Sequence, residues 1–483
     1  MAKDSENYQI AIEFAREKGI ILPPLEWLKA PEKIPEKVKE KLEQIPIHEI
    51  HPLNLFRLHW KNDPSSHGFG SVNVWEVPPS ITGSGARIVG LLGTTFPSQT
   101  LKSGPAYTAL VRKIVNGQFN PRENKAIWLS MGKFARGGAF TAALMGCLSV
   151  AILQKGFEEE QPDWFEALQG EVVIDPNPKD TIREIYQYVK MIQKDRPELV
   201  LLDHFAEEGN YLNHYHVTGP ALEEAIKTNL LDYDIFSGLV LSTGSAGTLA
   251  SGDYLKELFP SFPIAVLEPL QSPTLLMNGY GFHRIPGIGK NRVPWIHNVR
   301  NTDMVMAVDD QDCLNIFRMF QEPEGKEYLA SQGLSNADIA CLGSLGISSI
   351  ANLLGAIKFS KYYELKPRNV IFTVFYDSAE LYKHILTGFQ NKEYSREEGV
   401  HYFHSALLGQ TVDHIRELTY QEKRRIHNLK YFTWVEQEGR DIKELEAQWY
   451  DYPDYWQKIQ SLQVRLDQKI QEFNEESGVL ASL

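Results

Sequence analysis

Cysteine is scarce in this sequence. Its 483 residues hold three, Cys147, Cys313 and Cys341, and no two form a CxxC pair. That spacing argues against both a disulfide framework and a zinc knuckle. No apolar run approaches membrane-spanning length. Met1 to Gln9 are polar and acidic, without the apolar stretch of a secretory leader. The expectation is a soluble protein of the reducing cytoplasm, with no membrane partner. Basic residues are in deficit, 49 Lys and Arg against 62 Asp and Glu, for a net charge of −13. Lys423-Arg424-Arg425 is the one short basic cluster, so nucleic acid is not an expected partner. Also missing are an internal repeat, a Walker motif ending in Gly-Lys-Ser/Thr and a GxGxxG fingerprint. The remaining composition, 43% hydrophobic and 23% charged, is that of an ordinary globular protein.

The texture of the chain changes along its length. Residues 1 to about 60 read as a helical extension, with Leu28 to Gln44 rich in lysine and glutamate as a solvated surface helix. From residue 86 apolar runs alternate with helical patterns. Ala86–Leu92, Ala126–Leu129, Glu171–Ile174, Val200–Leu202, Asp234–Leu241, Ile264–Leu267 and Asn369–Phe375 read as strands. Lys102–Val115 and Ala139–Leu153 read as helices, and a further helix runs to about Leu258. This alternation predicts an α/β fold with parallel sheets and helices on their faces. The boundaries expected are an extension over 1–85, a smaller α/β domain over 86–210, a larger one over 211–390 and a helical, aromatic-rich extension over 391–483. In the last, Ile459–Phe473 reads as a long amphipathic helix. Its aromatics are accompanied by acidic residues, which disfavours a nucleic-acid stacking platform.

Four segments could carry chemistry. Ser242-Thr243-Gly244-Ser245-Ala246-Gly247-Thr248 follows an apolar strand and opens a helix. Small residues there let amides converge on an anion such as phosphate, although a tight strand–helix turn needs glycine for geometry alone. Lys102 stands at a loop-to-helix junction, where a desolvated amine can act as a nucleophile. Ser130-Met131-Gly132-Lys133-Phe134-Ala135-Arg136-Gly137-Gly138 runs from strand to helix, and its amides and Arg136 could hold a carboxylate. Gly346-Ile347-Ser348-Ser349 opens an apolar helix, a place where serine capping is a sufficient explanation. His214 and His216, two apart on a strand, would share a face, but no metal is expected.

Taken in order, these segments resemble the fold-type-II pyridoxal-phosphate family of tryptophan synthase β, cysteine synthase and cystathionine β-synthase. The resemblance covers residues 86 to 390. It is carried by Lys102 before Ser103-Gly104-Pro105-Ala106, Tyr215-His216-Val217-Thr218-Gly219-Pro220 and the cup Gly244–Thr248. Val266-Leu267-Glu268-Pro269, Gly281–Gly289, Gly346–Ser349 and Asp377-Ser378 complete it. The longer chain, with His51–Arg57, looks like a larger cysteine-synthase-like branch.

The resemblance implies two parallel-sheet αβα domains with pyridoxal 5′-phosphate in the cleft between them. Lys102 would hold the cofactor aldehyde and later act as base. Lys133, Gly244, Ser245, Ala246, Gly247, Thr248 and Ser348 would contact the cofactor, with Ser348 at the pyridine nitrogen. Ser130, Met131, Gly132, Lys133 and Phe134 would bind substrate. A neutral serine at the nitrogen implies a limited electron sink. The activity implied is β-elimination or β-replacement on an amino acid through an aminoacrylate, by a homodimer. Two departures bear on substrate: Met131 stands where a second hydroxyl is usual, and Lys133 where the family has asparagine. They leave room for a deaminase or lyase of an unusual amino acid, or for a cofactor-binding regulatory subunit.

Overall fold

The computed structural model describes residues 5–129, 133–154, 168, 170–175, 182–389 and 393–483. Its strands in chain order are β1 (Val74–Glu76), β2 (Arg87–Leu92), β3 (Lys125–Trp128), β4 (Leu148–Gln154), β5 (Glu171–Asp175) and β6 (Leu199–Leu202). They continue with β7 (Ile235–Ser242), β8 (Ile264–Pro269), β9 (Met304–Val308), β10 (Asn369–Phe375) and β11 (Ile415–Glu417). The chain divides into two compact units. Unit one comprises Met1–Ser71, Thr95–Pro220 and Trp434–Leu483; unit two comprises Val72–Thr94 and Ala221–Thr433.

Unit one is built on a four-stranded sheet in the order β5-β4-β3-β6. All three pairings are parallel, with Ile127 opposite Val150 and Leu201. Parallel strands are covered on both faces, which is why β3 and β4 read as nearly unbroken apolar runs. The helix Lys133–Leu144 packs on β3 and β4 and supplies part of that cover. Both chain ends belong to this unit. Ile21, Val38, Leu42, Leu53 and Phe56 share an apolar cluster with Val479. Asn474 on the helix Asp454–Ser477 accepts from the Leu22 amide at 2.9 Å and donates to the Leu22 carbonyl at 2.7 Å. Asp467 accepts the amides of Leu25 and Glu26, tying in the helix Leu25–Lys29.

Unit two carries a seven-stranded sheet in the order β1-β2-β10-β7-β8-β9-β11. Its five central strands are parallel and the two edge strands antiparallel. The fold is thus α/β with parallel-sheet units and additional helices, as the alternating pattern predicts.

Several local expectations are corrected. The segment 139–153 is not one helix: the helix ends at Leu144, Gly146 takes φ 64°, and β4 begins at Leu148. The β-branched residues Val150 and Ile152 fit a buried strand better than a helix. His214 and His216 lie in a helical π-turn, His214–Thr218, so two positions apart they point to different sides. His214 Nδ1 pairs with Thr218 Oγ1 at 3.0 Å and His216 Nε2 with the Gln460 carbonyl at 2.8 Å. The lysine-rich stretch 28–44 is amphipathic rather than solvated all round, burying Leu28, Ile34, Val38 and Leu42. Strand β2, expected in the same domain as Lys102, pairs with β10 in unit two instead. The strands β1, β9 and β11 are additional to those read from the sequence.

Candidate active site

In unit one, Lys102 precedes the helix Ser103–Val115 with helical dihedrals, φ −66° and ψ −18°. What holds the junction is close packing by the helix Lys133–Leu144. A Cβ on Gly137 would stand 2.7 Å from the Lys102 carbonyl carbon and 2.7 Å from the Ser103 nitrogen. Glycine is what permits this approach of backbone to backbone. Thr141 donates to the Ser103 carbonyl at 3.1 Å one turn further on. His214 is buried close enough to sense Lys102. Burial first, and the Lys102 ammonium second, hold its imidazole well below the ordinary range, so it is neutral.

Lys133 is the first residue of its helix and only 4% exposed. Phe134 is also buried, edge-on to Trp128 with ring centroids 5.6 Å apart and stacked on His204 at 4.2 Å. Burial pushes the Arg136 guanidinium down to about 10. Ser130, Met131 and Gly132 lie outside the described residues.

In unit two, β7 ends at Ser242 and the helix Leu249–Leu258 follows after the six residues Thr243–Thr248. This is the carboxyl end of a central parallel strand, where α/β sheets place their ligands. The turn is clipped from two sides. Thr243 donates to the Leu267 carbonyl at 2.9 Å, and the Gly289 amide donates to the Thr243 carbonyl at 2.7 Å. A Cβ on Gly244 would lie 2.6 Å from the Gly287 carbonyl oxygen. Ala246 takes φ 63°, the left-handed conformation that favours glycine, at the position where the resembling family carries glycine.

The donor set fits a phosphate. The amides of Ala246, Gly247 and Thr248 make no hydrogen bond to a described residue. The buried hydroxyls of Ser242 and Thr243 likewise have no partner among the described residues. These groups stand at the positive end of a ten-residue helix, which favours an anion.

Strand β10 is the neighbour of β7, and the two residues after it reach different parts of unit two. Tyr376 donates to the Ser242 carbonyl at 2.8 Å, so at the 3.0 Å contact Thr248 Oγ1 donates to the tyrosine oxygen. Asp377 accepts the Ser348 hydroxyl on Oδ1 at 3.1 Å and the Tyr382 hydroxyl on Oδ2 at 2.9 Å. Asn352, one turn along the helix Ile347–Tyr362 from Ser348, accepts the Ser242 amide at 2.9 Å. The cup and Ser348 are thereby joined through Tyr376, Asp377 and Asn352. Of these only Asp377 was marked by its sequence motif; Tyr376, Tyr382 and Asn352 carry no local signal. Glu268, from the Val-Leu-Glu-Pro motif, is structural: its carboxylate accepts the amides of Leu275 and Leu276 at 3.0 and 2.8 Å.

No family model matches the chain. A "probable cysteine synthase" of Bacillus subtilis is 26% identical over 287 residues, spanning 59% of this chain and 85% of that protein. A cystathionine β-synthase of Apis mellifera is 26% identical over 247 residues, half of this chain and 44% of that longer protein. Among solved structures, a hydrogen sulfide-producing enzyme of Fusobacterium nucleatum superposes with a TM-score of 0.54 at 20% identity, covering 64% of this chain and 95% of that one. This last likeness concerns the fold. Its ordered motifs, its parallel-sheet units and these relatives make the chain similar to the cysteine synthases and cystathionine β-synthases and consistent with the fold-type-II superfamily.

Proposed function

We propose that the chain is a pyridoxal-phosphate-dependent lyase or transferase that eliminates or replaces a group at Cβ of an amino acid. The observation that carries this reading is the turn Thr243–Thr248, with three unengaged amides and the orphaned Thr243 hydroxyl ahead of a helix start. When bound, the cofactor supplies the electron withdrawal that loosens the bonds at Cα and Cβ.

The chain's residues do the rest. The amides of Gly244, Ser245, Ala246, Gly247 and Thr248 hold the phosphate. Lys102 Nζ would hold the aldehyde and would be the base that takes the proton from Cα. Ser348 Oγ meets the pyridine nitrogen. Ser130, Met131, Gly132, Lys133 and Phe134 would orient the amino acid, and His214, held neutral, adds no charge of its own beside Lys102. The protein acts as a homodimer in the cytoplasm, a point light scattering and fractionation check directly.

The test is turnover by the purified protein loaded with pyridoxal 5′-phosphate. O-acetylserine with sulfide, cysteine alone, and cysteine with homocysteine are supplied in parallel, with pyruvate, sulfide and thioether products measured. Product from at least one mixture, lost in Lys102→Ala, supports the reading. Efficient transamination without elimination or replacement contradicts it.

A further inference from the structure

Three side chains of unit one, Trp60, Thr218 and His214, form a relay that ends beside Lys102, and each is only 1% exposed. Trp60 comes from the N-terminal extension. Its ring lies edge-on to Phe96, six residues before Lys102, with centroids 5.0 Å apart. Its indole Nε1 donates to Thr218 Oγ1 at 3.1 Å. Thr218 closes the π-turn His214–Thr218, and its Oγ1 lies 3.0 Å from His214 Nδ1. Burial, and after it the Lys102 charge, keeps the His214 imidazole neutral.

The direction of each bond follows from the protons available at Thr218. A hydroxyl has one proton to give, and an indole N–H can only donate. Thr218 Oγ1 therefore accepts from Trp60, and its own proton has one acceptor among the described residues, His214 Nδ1. The reverse arrangement, with the imidazole donating, leaves a buried hydroxyl proton without a partner. A neutral imidazole that accepts on Nδ1 carries its proton on Nε2. Nε2 makes no hydrogen bond to a described residue, so its N–H is open to an incoming acceptor.

We infer that Trp60 is a positioning residue that, through Thr218, fixes His214 as a hydrogen-bond donor beside Lys102 and denies it the role of base. The one lone pair of the imidazole is taken by Thr218, so His214 does not compete with Lys102 for a proton. An amino acid brought to Lys102 presents a carboxylate, which a neutral N–H meets without adding charge. That consequence rests on the reading of Lys102 as the reactive amine, whereas the relay is a property of the chain alone. The N-terminal extension thereby takes part in the chemistry. Packing on Phe96 needs only an aromatic ring at position 60, and the donor to Thr218 needs tryptophan.

The experiment prepares the protein with 15N-labelled histidine and records the ring nitrogens at neutral pH through their couplings to the ring protons. His214 is assigned as the signal lost in His214→Gln. The wild type is expected to show a neutral ring with its proton on Nε2 and with Nδ1 accepting. Trp60→Phe keeps an aromatic ring against Phe96 and removes the indole donor. Thr218 can then accept from the imidazole, so the two tautomers mix and the two nitrogen signals move toward each other. A wild-type ring protonated on Nδ1, or on both nitrogens, overturns the inference, as do unchanged His214 signals in Trp60→Phe. Should that variant fail to fold, Thr218→Val takes its place. It removes the hydroxyl and is expected to move Nδ1 to the range of an unbonded imidazole nitrogen; an unmoved signal overturns the inference equally. These spectra need no cofactor. The lack of a visible absorption band on adding pyridoxal 5′-phosphate instead sinks the reading of Lys102 and leaves the relay standing.

Discussion

Gly137 lies against the Lys102–Ser103 peptide so closely that a Cβ on it would be 3.0 Å from the Lys102 Cβ and nearer still to the backbone. The helix carrying Lys133 and Phe134 therefore sets where the Lys102 side chain begins. Gly137→Ala forces the two helices apart. Overpacking of this kind costs about 1–3 kcal/mol. The expected outcome is that loss in denaturant unfolding, together with a lower yield of cofactor fixed to Lys102 by borohydride. Unchanged stability and unchanged labelling contradict the packing account.

Ala246 pays for its left-handed backbone at the centre of the cup. An L-residue in that region costs roughly 1–2 kcal/mol, partly offset by the greater flexibility of an unfolded glycine. Ala246→Gly is expected to raise stability by about 1 kcal/mol and to preserve cofactor affinity, since the amide donors remain. A loss of stability on this substitution means that the turn does not adopt φ 63° in solution.

Glu268 is buried at the end of β8, and burial pushes its carboxyl up to about 7 from the ordinary 4.5, against the two amides that donate to it. The unfolded chain ionises this group at lower pH than the folded one does. Its contribution to stability is therefore fully present below pH 4.5 and is lost as pH rises through about 7. Glu268→Gln removes that slope. The stability of the wild type relative to the variant is expected to fall between these limits; a flat or rising difference shows that the carboxyl is not raised.

Lys133 is the residue that most separates this chain from the pattern it resembles, and its burial excludes a lysine simply pointing to water. A second cation near an amine favours its neutral form. Lys133→Asn is expected to move the pH titration of the cofactor absorption band upward and to tighten simple amino acids such as O-acetylserine. Coincident titration curves with unchanged amino-acid affinity place Lys133 outside the site.

The parts of this account that were legible in the sequence are those written locally. Ser242–Thr248 is small residues between an apolar strand and a helix, and the structure places it at just such a turn. Lys102 at a loop-to-helix junction was equally local. The Tyr376–Ser242 hydrogen bond was not legible, because it joins residues 134 apart and exists only once β10 is laid beside β7. The same holds for Tyr382, whose partner Asp377 is near in sequence but whose orientation is set by Gly346 and the helix behind it. The helix misread over 139–153 shows the opposite failure: the signals were local, with Gly146 ending the helix and Val150 and Ile152 marking the strand, but the apolar run was read through them. Membership of the terminal segments in unit one depends on pairs such as Leu22 with Asn474, which no window of sequence contains.

The central claim is that Lys102 is the amine that holds the cofactor, and one measurement tests it most directly. The purified protein is incubated with pyridoxal 5′-phosphate, reduced with borohydride, digested, and its labelled peptide sequenced by mass spectrometry. The account predicts a single label on Lys102, absent in Lys102→Ala. A label on Lys133 or any other lysine, with Lys102 unmodified, contradicts it.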